Sequence, residues 1–263
     1  MVDIKSKREI ELMREACRIT AMAHEVVAKA IRPGMSTADL DKIAEEVILS
    51  NGATPSFKGY PSSERGVPDF PATACISIND EVIHGIPSRN RIIKNGDIVS
   101  VDLGAYKNGF NGDMARTIIV EGVGASFHAC PPETSRLVEV TRQAFFEGIK
   151  FAKPGNRIGD VCHAIGEFIE KNGFSVVKEF QGHGVGRNLH EDPAIPNYGK
   201  EGKGIKLEPG MTLAIEPMVN MGKAAVLEDE NGWTIITEDG SLSAHYENTI
   251  LITEKEPEIL TTI

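Results

Sequence analysis

The apolar positions at the start of the chain recur with helical spacing. Ser6-Lys-Arg-Glu9 has the form of a capping box, and Ile10, Met13, Cys17, Thr20, Met22 and Val26 follow until Pro33-Gly34 stops the run. Ser36-Thr-Ala-Asp39 opens a second helix, striped by Leu40, Ile43, Val47 and Ile48 and ended by Asn51-Gly52. The same signals then return at an offset of 121 (Pro33 to Pro154): Gly34 matches Gly155, Asp39 matches Asp160, and Asn51-Gly52 matches Asn172-Gly173. A long helix over about 134–152 precedes the second set, as one precedes the first.

After each helix pair the apolar period shortens to two. Asn95-Gly-Asp-Ile-Val-Ser-Val-Asp102 aligns with Pro209-Gly-Met-Thr-Leu-Ala-Ile-Glu216, so Asp102 falls on Glu216. Farther on, Ala115-Arg-Thr-Ile-Ile-Val120 resembles Glu247-Asn-Thr-Ile-Leu-Ile252. The pattern predicts an internal duplication, with halves of about 1–125 and 126–263 within one domain. Helix pairs followed by hairpins predict an α+β architecture: helices outside a curved antiparallel sheet, in two halves related by a pseudo-twofold axis.

Asn108-Gly109 is a two-residue hairpin signal, because a type I′ turn needs positive φ at both central positions. That turn sets Lys107 opposite Phe110 and Asp102 opposite Ala115. Asp113 then lies diagonal to Asp102 on one face, among apolar residues. Two carboxylates so placed repel each other and resist desolvation. The second half supplies Glu216 and Glu247, and Gln181-Gly-His-Gly-Val-Gly-Arg-Asn-Leu-His-Glu191 places His183 between glycines. Singly, each of these residues reads as an ordinary turn, loop or surface group. Together they carry about four negative charges into one place, which two divalent cations would neutralise. A set of oxygen donors with one imidazole suits manganese, iron(II), cobalt or zinc in an open pair. Such a pair can polarise a carbonyl and activate water. His84 and His190 are candidates to contact a substrate carbonyl or leaving amide. His24 and His163 on helices, and His128 in a loop, read as structural or solvent-facing.

With 41% hydrophobic and 25% charged residues the chain is of soluble, globular type, and its formal net charge is −10. That balance argues against a nucleic-acid reader or an anionic membrane surface as partner. No apolar run approaches the ~20 residues that span a bilayer, and the N-terminus has no signal-peptide core. Cys17, Cys75, Cys130 and Cys162 are scattered, which reads as reduced thiols and a cytoplasmic protein.

These motifs resemble type I methionine aminopeptidases over nearly the whole chain. The resemblance rests on Asn79-Asp-Glu-Val-Ile-His-Gly-Ile-Pro87, Asp97–Asp102 with Asn111-Gly-Asp113, Gly182-His-Gly-Val-Gly186 with Leu189-His-Glu191, Ile215-Glu-Pro217 and Trp233–Thr249. It implies the pita-bread fold and hydrolytic removal of the initiator methionine from nascent chains, where the second residue is small. It also implies a dinuclear site of Asp102, Asp113, His183, Glu216 and Glu247, with Asp113 and Glu247 bridging and Glu216 shuttling a proton. His84 and His190 would contact substrate, and Phe70, Cys75, Leu189 and Trp233 would line the methionine pocket. A monomer with transient ribosome contact is the implied working form. The alternatives are an Xaa-Pro peptidase of the same fold and a metal-free binding module. Three departures stand out. The connection from Tyr60 to Phe70 is longer than usual, His245 replaces the family's common Gln, and Asn248 replaces its common His.

Overall fold

The computed structural model describes residues 2–121 and 131–263. His128, Cys130 and the junction between the two expected halves lie outside the described residues. The first half runs α1 (Lys7–Ala30), α2 (Thr37–Ser50), β1 (Thr54–Pro55), β2 (Ala74–Ile78), β3 (Glu81–Ile83), β4 (Ile98–Lys107) and β5 (Phe110–Ile119). The second begins with α3 (Pro132–Ile149) and α4 (Ile158–Lys171), followed by β6 (Ser175–Val176), β7 (Gln181–Gly184), β8 (Glu191–Pro196), β9 (Thr212–Ile215) and β10 (Met218–Asn220). It closes with β11 (Val226–Glu228), β12 (Ile235–Thr237), β13 (Ser243–His245), β14 (Asn248–Leu251) and β15 (Glu258–Ile259).

The helix starts follow the capping chemistry. The Ser6 N–H donates to Glu9 (2.8 Å) and the Ser36 N–H to Asp39 (2.9 Å). The α4 start keeps only the carboxylate half of the device, with the Arg157 N–H donating to Asp160 at 2.7 Å. The expected α1 stripe needs one correction: Val26 is 42% exposed, and Val27 is buried instead. Steps of three and four from Met13 reach Cys17, Thr20, His24 and Val27, and Val26 falls outside that face. His24 is buried and its Nε2 meets the Val101 carbonyl at 3.0 Å. Burial lowers its pKa to about 4, so it stays neutral.

The hairpin β4–β5 has the expected register, with Lys107 opposite Phe110 and Asp102 opposite Ala115. Asn108 and Gly109 take the positive φ values, 52° and 87°, that the turn demands. The second half repeats this pairing. Val101 lies opposite Arg116, and Ile215, its counterpart in the alignment, lies opposite Asn248. Connections repeat as well. Ile93 N–H to Met35 O (2.9 Å) recurs as Leu207 N–H to Asn156 O (2.9 Å), and Gly96 N–H to Val120 O (2.8 Å) recurs as Gly210 N–H to Ile252 O (2.9 Å).

The helices α1 and α2 cover the β2–β4 face through Leu40, Ile48, Ile76, Val99, Val101 and Leu103. In the same way α3 and α4 cover β9 and β14 through Leu137, Phe145, Ile165, Leu213 and Ile250. Two small sheets, β13–β10–β6 and β11–β12–β3, were not legible in the sequence, because strands of two or three residues are too short to show a period. Cys17, Cys75 and Cys162 are buried free thiols. No described helix is long and apolar enough to cross a membrane.

Candidate metal centre and adjoining cavity

The two hairpin units bring their acids to the seam between the halves. Asp102 lies within β4 and Asp113 on β5, while Glu216 follows β9 and Glu247 precedes β14. His183 arrives on β7, paired opposite Ala214 of β9. Its Nε2 lies 3.4 Å from Glu216 Oε1 and 3.8 Å from Asp113 Oδ2. Ligand-type atoms of Asp113, His183 and Glu247 all fall within 4.8 Å of one another.

Main-chain contacts across the seam hold these residues in place. The Glu247 N–H donates to Ala115 O at 2.9 Å. The Thr249 hydroxyl accepts from the Asp113 N–H and donates to the Asp113 carbonyl, both at 3.0 Å. In mirror fashion the Thr117 hydroxyl accepts from the His245 N–H (2.8 Å) and donates to its carbonyl (2.9 Å). Each half thus supplies a threonine that brackets a site residue of the other. The alignment that sets Ala115 on Glu247 also sets Asp113 on His245.

The glycines around His183 are a packing requirement. A Cβ on Gly184 would sit 2.1 Å from the Asp192 carbonyl oxygen, and one on Gly182 would sit 2.4 Å from that of Ala214. Gly184→Ala should therefore push β7 off its neighbours and destabilise the fold by roughly 1–3 kcal/mol. Thermal melts of the variant would read this as a lower Tm, and an unchanged Tm would show that the strand can relax.

The site is electrostatically unfinished. Asp113 is 3% and Glu247 2% exposed, yet no Lys or Arg forms an ion pair with any of the four acids among the described residues. Arg116, whose charge acts on Glu247, spends its donors on the Ala115 and Glu247 carbonyls and on Asn248 Oδ1. Oδ1 of Asp102 and Oδ1 of Asp113 are buried with no hydrogen-bond partner. Burial, and then mutual repulsion, push Asp102, Glu216 and Glu247 well above the usual carboxylate range, and burial pushes Asp113 up to about 7. Burial also lowers His183 to about 3, leaving a neutral imidazole with a lone pair to offer. Orphaned carboxylate oxygens around one neutral imidazole fit divalent cations.

Against these acids lies a cavity that contains every site residue singled out in the sequence. Its apolar wall is Phe57, Tyr60, Phe70, Cys75, Leu189 and Trp233; His84 and His190 complete the lining beside the five acidic and imidazole groups. Phe70 and Trp233 meet edge-on at 5.2 Å. Burial, and then Asp102, raise the Cys75 thiol well above its usual range, so it packs as a neutral group. Phe57 and Tyr60 were missed, because their segment has no period that would point them inward. Tyr60 and Phe70 instead close the base of the long connection. The Phe70 N–H donates to Tyr60 O (2.9 Å), and the Trp233 indole N–H donates to Pro68 O (2.9 Å). His84 has a φ of 57°, which is strained for a side chain of its size, and its ring meets Phe180 and Trp233 edge-on. His245 is buried, with Nε2 3.5 Å from Glu216 Oε2, so its ring faces the site.

Comparison with known proteins gives the family. The model of metallopeptidase family M24 matches residues 11–254. The methionine aminopeptidase of Clostridium acetobutylicum is 48% identical over 261 residues, 99% of each chain. Methionine aminopeptidase 1 of Bacillus subtilis is 47% identical over the full length of both. The crystal structure of the Thermotoga maritima methionine aminopeptidase superposes with a TM-score of 0.93 at 46% identity, covering both chains completely. The prolidase of Pyrococcus furiosus shares the pita-bread fold with a TM-score of 0.75 at 27% identity, but this chain spans only 65% of it. The chain belongs to metallopeptidase family M24, among the methionine aminopeptidases.

Proposed function

We propose that the protein hydrolyses the first peptide bond of nascent proteins and peptides to release an N-terminal methionine, preferring a small second residue. The observation that carries this reading is the union of two features in one cavity. Four desolvated carboxylates with one imidazole adjoin an apolar pocket containing Phe70, Cys75, Leu189 and Trp233. A flexible thioether chain suits such a soft wall. The full-length likeness to methionine aminopeptidases favours this reading over an Xaa-Pro peptidase or a metal-free binding module.

Asp102, Asp113, His183, Glu216 and Glu247 would hold two divalent ions, drawn from cobalt, manganese, iron(II) or zinc. When bound, these supply Lewis-acid polarisation of the carbonyl and a nucleophilic water at neutral pH. The protein's own groups do the rest. The apolar wall seats the methionine side chain and excludes water. His84 and His190 contact the scissile amide. The Glu216 carboxylate, flanked by His183 and His245, takes up a proton from water and returns it to the leaving amine. Residues 1–263 act as a single catalytic domain of two duplicated halves, monomeric and cytoplasmic. Contact with the ribosome is transient, and an acidic chain has no call to read nucleic acid.

The test is peptide hydrolysis by metal-loaded protein. Free methionine is expected from Met-Ala-Ser, with Leu-Ala-Ser and Ala-Pro-Ala left intact. Cleavage of the proline peptide instead would favour the prolidase-like alternative. Binding of Met-Ala-Ser without cleavage would favour a binding module.

A further inference from the structure

Tyr60 and His190 meet within the cavity. The phenolic oxygen lies 2.6 Å from Nδ1 of His190, and the rings stand edge-on, centroids 5.2 Å apart at 73°. Both partners are fixed. The Tyr60 N–H donates to Phe57 O (2.9 Å), its carbonyl accepts from Phe70 N–H (2.9 Å), and the Gly59 N–H donates to Phe70 O (2.8 Å). The His190 ring packs against that of His183, with centroids 4.3 Å apart.

A neutral imidazole carries one N–H, and the hydrogen bond made at one nitrogen decides which nitrogen bears it. Two arrangements satisfy the 2.6 Å contact. Either the phenol donates to Nδ1, leaving the proton on Nε2, or Nδ1–H donates to the phenol, leaving a lone pair on Nε2. Two observations separate them. First, the phenolic proton has no other protein acceptor among the described residues, so a donating phenol wastes nothing. Second, of the two groups the phenol is the stronger proton donor and the imidazole nitrogen the stronger acceptor, so the short contact is met best as O–H···N. We infer that Tyr60 donates to Nδ1 and locks His190 as the Nε2–H tautomer, so that His190 presents a hydrogen-bond donor to the substrate amide and not a base. This deepens the proposed function and rests on it. Tyr60 is a positioning residue: it acts through His190, at the base of the Tyr60–Phe70 connection. The same locking explains why a phenol, and not merely an aromatic ring, stands at this point of the wall.

The experiment uses the zinc-loaded full chain with 15N-labelled histidine. Long-range proton–nitrogen spectra separate protonated from unprotonated ring nitrogens, and the His190→Gln variant assigns the signals. Expected for wild type is a protonated Nε2 and an unprotonated Nδ1. In Tyr60→Phe, which keeps the ring, the His190 signals should shift toward a mixture of tautomers. Its kcat on Met-Ala-Ser should fall about ten- to a hundredfold with KM changed less than about threefold. Placed on the His190→Gln background, Tyr60→Phe should cost less than about twofold more. A protonated Nδ1 in wild type overturns the inference, as does a Tyr60→Phe enzyme with unchanged tautomer and kcat. Wild-type protein that releases no methionine overturns the peptidase reading instead, and the spectrum keeps the two failures apart.

Discussion

Asp113→Asn is expected to lower kcat/KM for Met-Ala-Ser by about a thousandfold or more, and at the same time to raise the Tm of the metal-free protein. The first effect amounts to about 4 kcal/mol of lost transition-state stabilisation. It follows because Asp113 lies at the centre of the donor set, within 4.8 Å of the His183 and Glu247 ligand atoms. The second follows from the same position. The Asp113 charge is among the causes that raise Asp102, Glu216 and Glu247, so a neutral amide of equal size relieves all three. Its new N–H can also donate to a neighbouring carboxylate. Removing one of four crowded, unpaired charges should stabilise the apo-protein by about 1–3 kcal/mol, or several degrees in Tm. Calorimetry in chelator reads the stability and a methionine-release assay reads the activity. An active variant would remove Asp113 from the site. A less stable apo-variant would show that the four carboxylates do not strain the fold.

The metal-free protein should also lose stability steadily as pH rises from about 6.5 to 8. In the unfolded chain Asp and Glu titrate near pH 4. In the folded protein Asp113 titrates at about 7, and Asp102, Glu216 and Glu247 are all raised. Above pH 4 the folded state therefore keeps protons that the unfolded state has released. Each retained proton lowers stability by about 1.4 kcal/mol per pH unit as pH rises. The buried histidines act with the opposite sign. His24 and His84 are lowered to about 4, and His183 and His245 to about 3. Below about pH 6.5 the unfolded imidazoles bind protons that the folded ones refuse, so stability falls as pH drops. The two effects oppose each other between about pH 4.5 and 6.5, and only the carboxyl effect survives above that window. Saturating divalent cation should abolish the alkaline loss, because cations replace the protons, and at a hundred times Kd it should add about 2.7 kcal/mol. Urea melts from pH 5 to 8, with and without metal, decide the matter. Parallel curves would mean that the acids are not coupled to a cation site.

The hairpin from Ile98 to Ile119 was fully legible because one turn signal fixes the register of every later residue, Asp102 and Asp113 included. Glu216 was found through its alignment with Asp102, and His183 through its glycines. The apolar wall was only half legible. Phe57 and Tyr60 sit where no helix or strand period runs, and only folding the chain back through the Tyr60–Phe70 pairing turns them inward. The threonine brackets were invisible for another reason. Thr117 and Thr249 read as ordinary strand residues until the second half is laid against the first. Val26 gave way to Val27 because steps of three and four from Met13 carry the buried stripe through Thr20 and His24 to Val27.

The reciprocal hydroxyl contacts have a mechanical meaning. Each threonine is anchored in one lobe and clasps the backbone of the other, so the lobes cannot swing apart without dragging Asp113 and His245 out of place. Breathing of the molecule as a clamshell would dismantle its own catalytic seat.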